Sequence, residues 1–163
     1  MAIATDFNTG GEKLTKSAAG KKYIAIDLTR LKDRVSITIN KDAPKVEIFE
    51  GYWTREQVAA QTDKVFLFGD NTNDRVNTHY VPRATQAVIR GLSNAIGIDT
   101  KKNRGTSTDS YFTDADFEIF KDQVDGAIQR AVNSGKTIVI PADGIGTGKA
   151  RLKERAPKLY KYL

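Results

Sequence analysis

Two stretches of the chain are apolar without interruption: Val65-Phe66-Leu67-Phe68, which follows Lys64, and Ile138-Val139-Ile140. A strand with one wet face alternates apolar and polar residues. A run that does not alternate needs cover on both faces, as in the middle of a parallel sheet. Each run leads into a polar loop containing glycine, Gly69-Asp70-Asn71 after the first and residues 142–148 after the second. From Val65 onward the pattern strand, loop, helix recurs three times. That is the signature of an α/β domain with a mostly parallel central sheet. Ligands of such sheets bind outside the carboxyl ends of the strands. Loops 69–75, 100–108 and 142–148 are therefore expected to converge.

The local signals fill in this frame. Residues 1–20 are small and polar and read as a flexible leader. Residues 23–28, 35–39 and 46–49 are β-rich and predict a small antiparallel meander, so residues 21–63 form a β-rich extension to a domain of residues 64–163. Thr54 and Gln57 fit a capping box that opens a short helix. Pro82 suits the first turn of a helix reaching Arg90 and stopped by Gly91. Residues 94–99 read as a strand. Thr113 caps the longest helix, with Asp114 and Asp116 favouring its N-terminus. Phe117, Phe120, Val124, Ala127, Ile128 and Ala131 are expected on its buried face. Tyr111 and Phe112 either staple that helix or stack on a base. A final helical segment is interrupted or restarted at Pro157.

Composition removes several chemistries. With no cysteine and one histidine, His79, the chain has no thiolate metal site and no two-histidine scheme. No metal or cofactor is expected. No apolar run approaches a membrane span and residues 1–20 lack a secretory h-region, so the expected location is the cytoplasm, that of the host if a phage encodes the chain. The 26 Lys+Arg exceed the 20 Asp+Glu by six. Residues 149–163 carry most of this excess, with six basic residues against the single acid Glu154. A nearly neutral body argues against a broad nucleic-acid surface. Lys149 and Arg151 are near enough to the 142–148 loop to add to an anion site, while Lys153, Arg155, Lys158 and Lys161 are expected to face solvent.

The loop after the second apolar run reads Asp143-Gly144-Ile145-Gly146-Thr147-Gly148-Lys149. Glycines between a strand and a helix let backbone N–H groups approach an anion. It is not a Walker A loop, because Asp143 takes the place of the first glycine and Ala150 that of the hydroxyl. It is not the dinucleotide fingerprint either, since its third glycine comes one residue early. Gly69-Asp70-Asn71 offers a carboxylate and an amide at a strand tip, or simply an Asx turn. Lys101, Lys102 and Arg104 form a cationic run that contacts an anion or faces solvent.

In this order the motifs resemble a family of uncharacterised phage and bacterial proteins: Gly69-Asp70-Asn71, then residues 94–101, Tyr111 to Asp114, residues 139–148, and Ala156-Pro157. That family in turn looks like the macrodomain fold, which binds ADP-ribose and related NAD derivatives and in some members hydrolyses ADP-ribosyl bonds. The resemblance covers residues 64–163. It implies a macrodomain-like three-layer sandwich in which Gly144, Ile145, Gly146, Thr147 and Gly148 wrap a diphosphate and distal ribose. Asp70 and Asn71, with Gly69 before them, would line the ribose end, and Thr100 and Lys101 the rim. Where relatives carry a glycine-rich stretch after Gly-Asp-Asn, often with a lysine, this chain has none and offers Arg75, His79 and Arg83.

The expected function is binding of an ADP-ribose-like or other NAD-derived nucleotide, in a phage setting the sequestration of a host immune signal. The alternatives are an ADP-ribosyl hydrolase, with His79 or Asp143 (or Asp70 or Lys101) as base or stabiliser, and a basic nucleic-acid or partner-binding module. The N-terminal meander is expected either to extend the sheet edge or to form a homo-oligomer contact.

Overall fold

The computed structural model describes residues 43–76 and 81–163. The leader, the two predicted strands before residue 40 and His79 lie outside the described residues.

Residues Pro44–Leu163 form one compact unit. It contains β1 (Val46–Phe49), α1 (Arg55–Ala59), β2 (Lys64–Asn71), α2 (Thr72–Val76), β3 (Ala95–Lys101), α3 (Phe117–Asn133), β4 (Thr137–Pro141), α4 (Leu152–Arg155) and α5 (Pro157–Tyr162). The described sheet has four strands in the order β1-β4-β2-β3, and every pairing is parallel. One expectation is corrected here. Among the described residues β1 pairs in parallel with β4, Val46 opposite Ile138, and not antiparallel. It and α1 thus belong to the sheet domain, not to a separate extension.

The uninterrupted apolarity of β2 has the expected cause. Val65 and Leu67 face one core, with Ile98, Phe120, Val124, Leu152 and Leu159. Phe66 and Phe68 face the other, with Trp53, Val58, Ile89 and Val139. All four β2 side chains are buried. Helix α3 packs on the first face through Phe120, Val124, Ala127 and Ala131. Ile128, expected among them, is exposed. It follows Ala127 directly, so it is turned about 100° away from it around the helix axis.

The caps behave unevenly. Thr54 and Gln57 form the reciprocal capping box on α1. Thr113 and Asp116 form a second, but it closes a 3₁₀ turn, Asp114–Asp116, from which α3 continues. The Asp114 carboxylate serves another helix, accepting the Lys158 N–H at 2.9 Å in the first turn of α5. Pro157 restarts the chain as α5 rather than ending it.

The helix expected from Pro82 is absent. Only a 3₁₀ turn forms, Gln86–Ile89. Tertiary partners claim its carbonyls: Trp53 Nε1 donates to Gln86 O at 2.9 Å, and Arg55 Nη1 to Val88 O and Arg90 O at 3.0 and 2.7 Å. Those bonds compete with α-helical i→i+4 pairing and win.

Asn94 joins α1 to the start of β3. Its buried amide donates to Val58 O at 2.8 Å and Gln61 O at 3.0 Å. Replacing it removes one of the donors to each carbonyl, the Gln61 and Lys64 N–H groups remaining. Asn94→Ala is expected to lower unfolding free energy by about 1–3 kcal/mol, read from urea unfolding. An unchanged midpoint would mean that water replaces both bonds.

Candidate functional site

β2 and β4 are neighbours whose following segments leave toward opposite faces. After β2 the chain reaches the turn Gln86–Ile89 in the core of Phe66 and Phe68. After β4 it reaches α4 and α5 in the core of Leu67 and Phe120. Such a divergence opens a crevice at the carboxyl ends of the two strands. A cavity of about 500 Å³ lies there.

Its walls combine the expected loops. Gly69, Asp70 and Asn71 contribute from β2, Thr100 and Lys101 from β3, and Gly144, Gly146, Gly148 and Lys149 from the loop after β4. Thr85, Gln86, Arg90, Asn103 and Arg104 also line it, and Tyr52, Asp74, Pro82, Ala87 and Ala150 complete it. Four expected site residues are not in the lining. Arg75 turns to Asp99, with Nε 2.9 and 3.0 Å from the two carboxylate oxygens. Ile145 packs against the core of Phe120. Thr147 donates its hydroxyl to Asp143 O at 2.7 Å, and both residues are exposed.

Gly69, Asp70 and Asn71 are strand, not loop, because β2 stays in register with β3 through Asp70 opposite Asp99. β3 likewise extends past Asp99 to include Thr100 and Lys101. Asp70 is buried, and its carboxylate is held by Arg90, Nε to Oδ1 at 3.0 Å and to Oδ2 at 3.1 Å, with Nη2 also donating. It is a wall component rather than a bare acceptor. Asp74 is buried too. Arg104 Nε reaches its two oxygens at 2.8 and 3.0 Å, and Asn71 Nδ2 donates to it at 2.8 Å. Asn71 Oδ1 accepts the Asp74 N–H at 2.8 Å, so its amide closes the turn from β2 into α2.

Gln86 bridges the two halves of the crevice. Its Oε1 accepts the Gly69 N–H at 3.0 Å and its Nε2 donates to Gly144 O at 2.8 Å. The second bond commits a carbonyl that would otherwise face an incoming anion bare. Gly146 holds the bend of the loop at φ +81, and a Cβ there would lie 2.5 Å from the buried Leu152 Cδ1. Only glycine meets both conditions.

Sequence reasoning missed Gln86, Arg90, Asp74 and Asp99. The one available signal was Arg90 directly after the apolar Ala87-Val88-Ile89, a place where a charged residue needs a buried partner. Arg104 was visible as part of a cationic run, but not its pairing with Asp74. Tyr111 and Phe112 are both buried. Phe112 packs edge-on against Phe120, with centroids 5.8 Å apart. Neither ring lines the cavity. Among the described residues no group of three His, Cys, Asp or Glu is placed to hold a metal ion, and no helix is long and apolar enough to cross a membrane.

The buried aspartates differ in electrostatics. Burial favours the neutral form of Asp74, but hydrogen bonds from Asn71 and Arg104 outweigh it and hold its pKa below the ordinary value. Asp99 is pushed up by burial, which Arg75 offsets only in part. The stability tied to Asp74 is present above its unfolded pKa and lost as pH falls through the lowered folded value. The contribution of Asp99 runs the other way: it is full below the unfolded pKa and lost as pH rises through the raised folded value. Asp74→Asn should therefore destabilise most near neutrality, with the deficit shrinking in acid. Asp99→Asn should gain on the wild type as pH rises from acid to neutral. Urea midpoints across that range check both, and parallel profiles for the two variants would contradict the assignment.

The family described as "Family of unknown function (DUF7831)" matches residues 48–163, and the chain belongs to it. No curated protein and no solved structure matches it.

Proposed function

We propose that this member of the family binds a phosphate-bearing nucleotide of the ADP-ribose class in the crevice between β2 and β4. One observation carries the reading: the glycine loop after β4 and the Gly69-Asp70-Asn71 tip of β2 line the same cavity of about 500 Å³. That size falls within the roughly 300–1,000 Å³ of small-molecule sites. Its lining brings Arg90, Lys101, Arg104 and Lys149 together with only two acids, Asp70 and Asp74. An anion of about two negative charges, such as a diphosphate diester, balances that excess. The Gly144, Gly146 and Gly148 backbone would hold the diphosphate and Lys149 would stand at its edge. The macrodomain likeness of the motifs points to the same ligand class and to a three-layer arrangement.

Binding is favoured over hydrolysis by the state of the carboxylates. Both acids of the cavity are engaged by arginines, Asp70 by Arg90 and Asp74 by Arg104. A carboxylate whose oxygens already accept from a guanidinium is not free to take a proton from substrate. In a phage-borne protein this reading becomes the capture of a host nucleotide signal, held intact.

Calorimetric titration with ADP-ribose, its cyclic forms and adenosine tests the proposal. ADP-ribose or a cyclic form should bind and adenosine should not. Gly148→Asp is the discriminating variant. A Cβ at Gly148 meets nothing within 4 Å, so the fold tolerates it. The added carboxylate should weaken phosphate binding by about tenfold or more with little change in melting temperature. No heat from any phosphorylated member of the panel would sink the reading. Recovery of cleaved ligand would turn it toward the hydrolase.

A further inference from the structure

Beside the cavity, outside the glycine loop, Lys101 of the lining stands near a second cation, Arg155, that the nucleotide reading does not use. Tyr111 is buried. Lys101 Nζ stands 4.4 Å from its ring centroid and Arg155 Cζ stands 4.0 Å from it. The two positive charges are therefore no farther apart than the sum of those distances. Neither has a carboxylate partner among the described residues. Lys101 Nζ donates to the Gly105 carbonyl. Arg155, expected in solvent, is part-buried, and its Nε is enclosed without any acceptor.

A ring can attract a cation through its quadrupole, but two like charges on one ring repel each other. A buried guanidinium N–H with no acceptor adds a further cost. The repulsion has a remedy, an anion that accepts from the outer N–H groups of the Arg155 guanidinium and lies near Lys101. The location suits a ligand group. Lys101 lines the cavity. Arg155 is on α4, the helix entered directly from the glycine loop through Ala150, another lining residue.

We propose that Lys101, Tyr111 and Arg155 form a second anion subsite. It takes a phosphate or carboxylate group other than the one cradled by Gly144, Gly146 and Gly148. Joined to the proposed nucleotide site, on whose reading this extension rests, it selects nucleotides with an additional phosphate beyond the diphosphate. Arg155 supplies a charge-assisted donor, Lys101 a point charge, and the Tyr111 ring holds both side chains in place.

Inorganic phosphate is the probe, titrated into the full chain and followed by thermal shift and amide NMR. Wild type should be stabilised, with shifts at Lys101 and Arg155. Arg155→Gln and Lys101→Gln should each weaken apparent phosphate affinity by about tenfold. Arg155→Lys, which keeps a cation, should retain most of it, and Gly148→Asp, although it weakens the glycine-loop site, should keep the phosphate-induced shifts at Lys101 and Arg155. If Arg155→Gln fails to fold, Lys101→Gln and Arg155→Lys still decide the matter. Loss in Gly148→Asp with retention in both cation variants would place the phosphate in the glycine loop alone and overturn the subsite. Loss in all three variants would make the cations a rim of that loop and equally overturn it. A wild type indifferent to phosphate also overturns it. The nucleotide reading stands or falls separately, on the ADP-ribose titration.

Discussion

The carboxyl ends of β2 and β3 carry two buried aspartates side by side, Asp70 opposite Asp99 in the sheet register. Adjacent carboxylates out of water repel, and each needs its own compensation. Arg90 supplies it for Asp70 and Arg75 for Asp99. Asp74, one turn further, takes Arg104. Each pairing helps to fix the segment that carries the arginine. Arg90 draws the turn after residue 85 back to the β2 tip. Arg104 draws in the loop after β3, and Arg75 holds α2 against that strand. Gly97 is part of the same constraint, because a Cβ there would lie 2.9 Å from Asp70 Oδ2.

Such pairs are poor sources of net stability, since desolvation consumes much of the attraction; breaking the one buried on both sides, Asp70 with Arg90, nevertheless costs about 3–5 kcal/mol, and the two with half-exposed arginines cost less. What they provide here is fixed geometry. An apolar replacement would pack the strand tips but would leave the two loops without a register. The ion pairs also line the cavity wall with groups whose charges largely cancel. Its electrostatic character then comes from the residues at the edge, Lys101 and Lys149. Gln86 plays a neutral version of the same part, with one amide bound to each half of the crevice.

The sheet was legible because its signal is collective. Val65 to Phe68 and Ile138 to Ile140 can be read as doubly covered strands from their own residues, and the glycine loop from its position after one of them. Capping at Thr54 was equally local. The misreadings share a different cause. β1 looks like any short β-rich run, and nothing within Val46 to Phe49 says that its partner is ninety residues away in β4. Pro82 looks like a helix start until Trp53 and Arg55 claim the carbonyls that the helix would use. Asp70 looks unpartnered until Arg90, twenty residues on, is known to fold back on it. Local propensity is visible in a sequence; competition from a distant donor is not.

The basic C-terminal segment shows the same principle in its charges. Read as a run, residues 149–163 are a solvated cationic face. In the structure they divide by partner. Arg151 pairs with Glu154, and Lys158 Nζ sits 4.0 Å above the Phe117 ring. Arg155 lies against Tyr111, and Lys149 lines the cavity. Lys149 is the one of the six that lines the cavity, while Lys153 and Lys161 are exposed. A run that looks uniform in the sequence thus resolves into separate local roles, because each side chain answers to the neighbour that its place on the helix provides.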